Sequence, residues 1–105
     1  GDDNLRHQGM QLLQVLDEWQ TGAGESTLAT WLSEDNSSAL QLYLDGGLPA
    51  AASYRLTGTH GGSSEALVER GTPEGTVSIA FRLVWAGSEL WELELSLWYG
   101  PRGTA

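Results

Sequence analysis

Apolar residues recur with the period of a helix near the start of the chain. On a helical wheel they share one arc, and the polar residues lie opposite. The apolar arc holds Leu5, Leu12, Leu13, Val15, Leu16 and Trp19. Gly9 falls inside the same arc, so we expect another element to approach the backbone there. The pattern predicts an amphipathic helix over residues 4–20.

A second, short helix is predicted over residues 27–33. Ser26 is a favourable N-cap, and three apolar residues follow at helical spacing. These are Leu28, Trp31 and Leu32. Residues 39–45 fit two structures, because leucines at every second position suit a strand while the short length also suits a turn of helix. We favour the strand.

From Ser53 onward, apolar and polar residues alternate with the period of two that is typical of strands. The last two predicted strands carry two rows of mostly large side chains: Val77, Ile79, Phe81, Leu83 and Trp85, then Trp91, Leu93, Leu95, Leu97 and Tyr99. Two earlier strands add Tyr54, Leu56, Ala66 and Val68. Turns at residues 59–62, 72–75 and 86–89 would join neighbouring strands. We therefore predict a four-stranded antiparallel meander over residues 53–100 with one apolar inner face.

The two apolar rows also predict how the last two strands pair. Both rows share a face only if the numbers of the two residues that lie opposite each other have an even sum, as when Phe81 lies opposite Leu93 or Leu95. This register places Arg82 on the outer face, opposite Glu92 or Glu94, as a cross-strand ion pair. We therefore expect Phe81 and the rest of its row to be buried.

A sheet with one apolar face must cover it, and the helix over 4–20 is the only long amphipathic element available. The predicted fold class is therefore α+β, with this helix and the short second helix packed on an antiparallel sheet of about four to five strands. With 105 residues, including 17 Leu and 5 Trp, the chain can enclose one core but not two. We predict a single domain over residues 1–105, in which Gly1 is a candidate remnant of a cleaved tag.

Charge and composition narrow the classes of partner. The chain has 14 acidic residues, 5 Arg and no Lys, and its net charge of −9 argues against binding to nucleic acid or anionic membrane surfaces. No apolar run is long enough for a membrane span. The chain has no Cys, which excludes thiolate metal sites and thiol catalysis but fits either redox compartment. Localisation stays open, with secretion or an extracytoplasmic location after removal of a leader as one alternative.

The sequence offers few residues for catalysis or metal binding. His60 lies in a Gly-rich predicted turn, which suits either a functional loop or a solvated hairpin tip. The other histidine, His7, lies on the polar face of the first helix, and the spacing of the two does not suit a metal site. The predicted inner rows carry no Asp, Glu or His to act as a general acid or base. We predict no cofactor, no metal site and no catalytic residue, and favour a protein that is not an enzyme.

The order of elements resembles the cystatin-like superfamily, which includes the nuclear-transport-factor-2-like domains. The similarity covers most of residues 4–100 and rests on the segment Leu-Asp-Glu-Trp-Gln-Thr-Gly at 16–22, the short helix around 28–32 and the final hairpin. The resemblance implies a sheet that curls around the long helix. Some family members are enzymes with catalytic Asp, Tyr or His in a cavity, and others are binding or accessory domains that are often secreted. Domains with this fold often dimerise through their sheets. This chain departs from the enzyme members because its expected cavity lining is apolar.

These patterns suggest two functions. The first is a non-enzymatic interaction or accessory domain whose outer sheet face meets a protein partner or a second copy in a homodimer. Its predicted partner-binding residues are Arg82, Val84, Glu92, Glu94 and Trp98. The alternative is a binder of a small hydrophobic ligand, or a vestigial enzyme, with a pocket between helix and sheet. Its predicted ligand-binding residues are Tyr54, Trp85, Trp91 and Tyr99.

Overall fold

The computed structural model describes residues 2–20, 24–71 and 77–99, which form three helices packed on one face of a four-stranded antiparallel sheet. The helices are α1 (Asp2–Glu18), α2 (Thr27–Ser33) and α3 (Ser37–Gly47). The strands are β1 (Ala52–His60), β2 (Ser63–Arg70), β3 (Ser78–Ala86) and β4 (Glu89–Tyr99). The predicted α+β class and the long N-terminal helix are confirmed.

The first two helices lie where the pattern predicts them. Three leucines of α1 are at most 1% exposed: Leu5, Leu13 and Leu16. Gly9 lies on the same face, and a Cβ there would come 2.6 Å from Cδ1 of Leu97, so this glycine lets α1 lie close against β4 as expected. At the edge of the apolar arc, two side chains stay more than half exposed: Val15 and Trp19. α2 begins after Ser26, whose Oγ accepts a hydrogen bond from a backbone amide of the first turn.

The predicted strand over residues 39–45 is wrong, because this segment lies within α3. Asn36 caps the helix by accepting a hydrogen bond through its side chain from a backbone amide of the first turn. Leu40 and Leu44, one turn apart, are both buried, whereas Leu42 is 74% exposed. In a strand all three leucines would share a face, so their different burial follows directly from the helix.

The strand order is β2-β1-β4-β3, so the predicted meander is also wrong. β4 pairs antiparallel with both β1 and β3, which leaves β2 and β3 at the edges of the described sheet. The chain therefore crosses the sheet between β2 and β3 instead of turning back into the adjacent position. The central position of β4 buries its inner leucines Leu93, Leu95 and Leu97 fully. The turn predicted at residues 72–75 lies outside the described residues.

The pairing of β3 with β4 differs by one residue from the predicted register. Residues 87–88 form a two-residue turn, in which the glycine has a φ of 67°. Such a turn makes the sum of the paired residue numbers odd, so Phe81 lies opposite Glu94. Arg82 lies opposite Leu93 and faces the helices. The predicted burial of the Phe81 row is therefore wrong, and the row faces away from the helices.

The inner face carries a core made largely of leucine. On β4, Leu93, Leu95 and Leu97 are fully buried, and the expected inner residues Tyr54, Leu56 and Val68 join them. β3 contributes three smaller side chains: Ala80, Val84 and Ala86. Ala66 is the exception on β2, because the register shifts between Leu56 and Thr57 and leaves Ala66 exposed opposite Thr57.

Candidate interaction surface

The outer face of β3 carries large apolar side chains that remain exposed. We call this surface the apolar strip, and its members are Ile79, Phe81, Leu83, Trp85 and, on the adjoining end of β4, Leu90. Phe81, Leu83 and Trp85 are 62%, 61% and 64% exposed. Because β3 is an edge strand, the strip borders an edge with which no other described strand pairs. Exposed apolar side chains on an edge strand are a common docking place for another chain.

Two carboxylates border the apolar strip along β4. Glu92 lies opposite Leu83 and Glu94 lies opposite Phe81, so each is a direct cross-strand neighbour of a strip residue. Within the described part of the chain, neither glutamate forms an ion pair. The surface therefore combines a row of apolar side chains with a parallel row of negative charge.

The predicted partner-binding residues do not share one surface. Glu92 and Glu94 face outward as expected. Val84 is only 2% exposed on the helix side of the sheet. Arg82 also faces the helices, and its Nε donates a hydrogen bond of 2.9 Å to Oδ2 of Asp17. The predicted outward position of Val84 and Arg82 is therefore wrong, because the two-residue turn moves both residues to the inner face.

Trp98 lies on the outer side of the sheet, opposite Ser53, but it is only 2% exposed. The backbone at Gly71, just after β2, lies against the Ser53 side chain at this end of the sheet. Among the described residues, the indole Nε1 of Trp98 has no hydrogen-bond partner. The predicted exposure of Trp98 is therefore wrong, and the open part of the outer face lies further along β3, at the apolar strip.

The four residues predicted to line a ligand pocket do not form one group, although Tyr54 and Tyr99 lie near each other on adjacent strands. Tyr54 is fully buried in the core, while Trp85 belongs to the apolar strip on the opposite face. Trp91 and Tyr99 lie at opposite ends of β4. Leucines of α1 and β4 fill the interface where the predicted pocket would lie. The four side chains therefore do not form the single site that the sequence suggested.

Tyr54 is the centre of a polar network that joins α3 to β1. Its hydroxyl donates to Oδ1 of Asp45 at 2.8 Å and accepts from Nε2 of Gln41 at 2.6 Å. Arg70 donates to the same Asp45 oxygen at 3.2 Å. Burial raises the pKa of the Tyr54 hydroxyl, Asp45 raises it further and Arg70 opposes the shift. The hydroxyl therefore stays protonated and serves as a structural donor.

A cavity of about 410 Å³ lies near the ends of both hairpins. Its lining consists of Leu32, Ser33, Asp35, His60, Glu65, Ala86, Glu89 and Trp91. The His60 ring stacks on Trp91 with 3.7 Å between centroids, and its Nδ1 lies 3.0 Å from Oε1 of Glu89. The two atoms are close, but their geometry is not that of a hydrogen bond, and within the described residues Nδ1 has no hydrogen-bond partner. Sequence patterns do not indicate this contact, because it joins two separate hairpins.

Within residues 2–20, 24–71 and 77–99, no three His, Asp or Glu side chains are grouped to bind a metal ion. None of the described helices is long and apolar enough to cross a membrane. The chain has no significant match to a family model, a curated protein or a solved structure.

Proposed function

We propose that this chain is a non-enzymatic interaction domain whose outer sheet face binds another protein. The observation that supports this proposal is the apolar strip, whose three central side chains are 61–64% exposed. Fully burying a large apolar side chain contributes about 1.5–3 kcal/mol. A partner that covers the exposed parts of the strip would therefore stabilise a complex by several kcal/mol, before the costs of association.

The division of side chains between the two faces of β3 supports the same proposal. Small residues such as Ala80 and Ala86 face the core, whereas Phe81 and Leu83 face solvent. The stability of the isolated chain alone would favour large apolar side chains toward the core and small ones toward solvent, because large apolar groups gain most from burial. Edge strands are also commonly protected by charged side chains, and β3 has none on its outer row. A docking role accounts for both features.

The helix–sheet interface supports a non-enzymatic function. The residues that fill it are almost entirely apolar, and the Tyr54 hydroxyl is engaged by Gln41 and Asp45. A raised pKa keeps this hydroxyl protonated, so it is a poor general base. Membership of the binding or accessory branch of the cystatin-like superfamily remains part of the proposal.

The proposal is tested by selecting binders from a phage-displayed library of random peptides of about 18 residues, or five helical turns. The affinities of the selected peptides are then measured for the wild-type chain and for a Phe81→Ser/Leu83→Ser variant. Leu42→Ser is the matched control, because Leu42 is 74% exposed on α3. We expect the double variant to lose at least about tenfold in affinity and the control to retain it. Equal affinity in all three proteins would contradict the proposal.

The cavity beside His60 supports a second candidate function, the binding of a small ligand. Its volume of about 410 Å³ lies within the range of small-molecule sites. The supporting observation is the stacked pair of His60 and Trp91, which presents aromatic surface next to the Glu89 carboxylate. A fragment screen that follows the Trp91 indole resonance by NMR tests this function. A saturable shift of that resonance would support it, and a resonance that no fragment moves would count against it.

A further inference from the structure

The acidic border determines what kind of partner the apolar strip can accept. A surface that covers Phe81 and Leu83 also removes water from their cross-strand neighbours, Glu94 and Glu92. Desolvating an unpaired carboxylate is costly, whereas a facing Lys or Arg offsets that cost. The partner must therefore bring positive charge alongside its apolar side chains.

A second copy of this chain does not meet that requirement among the residues that the structure describes. Three arginines are already paired with carboxylates of their own chain: Arg55 with Glu69, Arg70 with Asp45 and Arg82 with Asp17. The fourth described arginine, Arg6, lies on α1, on the other side of the sheet. Docking two strips face to face would also bring together two chains that each carry a net charge of −9.

We propose that the apolar strip, together with Glu92 and Glu94, binds a basic amphipathic helix of another protein. This inference rests on the proposed function and adds the chemistry of the partner. Apolar side chains of the helix cover Phe81 and Leu83, and Lys or Arg side chains along one border of its apolar stripe bind Glu92 and Glu94.

The spacing of the two rows favours a helix over an added strand. The apolar row lies on β3 and the glutamates lie on β4, and neighbouring strands are about 4.8 Å apart. A helix of about 10 Å diameter lying on the sheet contacts both strands at once. A strand added at the free edge would pair with β3 and lie two strand positions from Glu92 and Glu94. A docked helix also forms a second helical layer, on the face opposite α1, α2 and α3.

The test uses peptides selected from the random phage library against the wild-type chain. Their affinities are measured for a Glu92→Gln/Glu94→Gln variant and for a Glu18→Gln/Glu34→Gln control. The control residues are exposed on or beside helices, and both variants change the net charge by the same amount. We expect strip-dependent peptides to be enriched in Lys and Arg and to form a helix when bound. We also expect their binding to weaken about tenfold in the border variant and much less in the control.

The possible outcomes separate the partner chemistry from the proposed function. Strip-dependent peptides that lack Lys and Arg, that bind as strands, or that bind the border variant unchanged would overturn the basic-helix partner and leave the interaction surface standing. A second result would also overturn the basic-helix partner: a wild-type chain that is dimeric and a Phe81→Ser/Leu83→Ser variant that is monomeric. The occupant of the apolar strip would then be a second copy with the same negative charge. Peptides with no dependence on Phe81 or Leu83 would remove both proposals.

Discussion

Arg82 of β3 donates a hydrogen bond from Nε to Oδ2 of Asp17 in α1, over 2.9 Å. The other oxygen of this carboxylate accepts from Oγ of Ser26, the N-cap of α2, also over 2.9 Å. One side chain of α1 therefore links the edge strand to the start of the second helix. Because Arg82 faces the helices, its neighbours Phe81 and Leu83 must face outward.

Loss of this carboxylate is expected to destabilise the fold. We expect Asp17→Ala to lower the free energy of unfolding by about 1–3 kcal/mol, since it leaves Arg82 and Ser26 without their partner. Glu69→Ala is the control, because the Arg55–Glu69 pair is more exposed and should contribute at most about 1 kcal/mol. Urea unfolding of both variants measures the difference. Equal losses would show that the Asp17 contacts do not join the layers.

Alanine substitutions at Gly9 and Gly46 are expected to have opposite effects on the free energy of unfolding, because only Gly9 lies where α1 closely approaches β4. Gly9→Ala places a methyl group against Leu97 and Leu95, so we expect a net loss of about 1–3 kcal/mol despite the better helix propensity of alanine. Gly46→Ala in α3 meets no atom within 4 Å and should stabilise the chain by about 0.5–1 kcal/mol. Thermal unfolding compares the two variants. A stabilised Gly9→Ala protein would mean that α1 lies further from the sheet.

The Tyr54 network predicts a dependence of stability on alkaline pH. The folded chain raises the pKa of Tyr54 above its unfolded value of about 10, so the associated stability is present below that pH. It is lost progressively as the pH rises above about 10 toward the folded pKa. Tyr54→Phe should therefore lose less stability than the wild type between about pH 8 and pH 11. Some loss should remain, because burial also raises the pKa of Tyr43. Urea unfolding at the two pH values measures it, and identical losses would contradict this role for Tyr54.

The two sides of the sheet should respond differently to loss of a leucine. Leu95→Ala removes a fully buried side chain and should cost about 2–5 kcal/mol. Leu83→Ala removes a side chain that is 61% exposed and should cost less than about 1 kcal/mol. Chemical denaturation of the two variants provides the comparison. A large cost at Leu83 would place that residue in the core instead of the apolar strip.

Local sequence pattern was sufficient to predict α1 and α2 but not α3. The arc of α1 and the Ser26 cap follow from residues near in sequence, which is why α1 and α2 were predictable. Leucines 40, 42 and 44 fit both periods, and the Asn36 cap was the signal that could have decided between them.

The sheet shows a different limit of sequence reasoning. Hydrophobic pattern predicts that two apolar rows share a face, but the two-residue turn at 87–88 sets the register of β3 and β4 and separates the rows. The turn sequence Ala-Gly-Ser-Glu was a visible signal for this register. The strand order had no such signal, because the crossover from β2 to β3 depends on long-range packing around β4. The apolar strip was therefore missed, although Glu92 and Glu94 at its border were among the predicted residues.

The outward orientation of the β3 row can be tested directly because the chain contains no cysteine. Single variants Leu83→Cys and Val84→Cys place thiols on opposite faces of the same strand, and their rates of reaction with Ellman's reagent report the exposure of each. We predict fast modification at position 83 and strong protection at position 84, where Val84 is 2% exposed. Protection at 83 with fast reaction at 84 would contradict the register and remove the apolar strip from the surface.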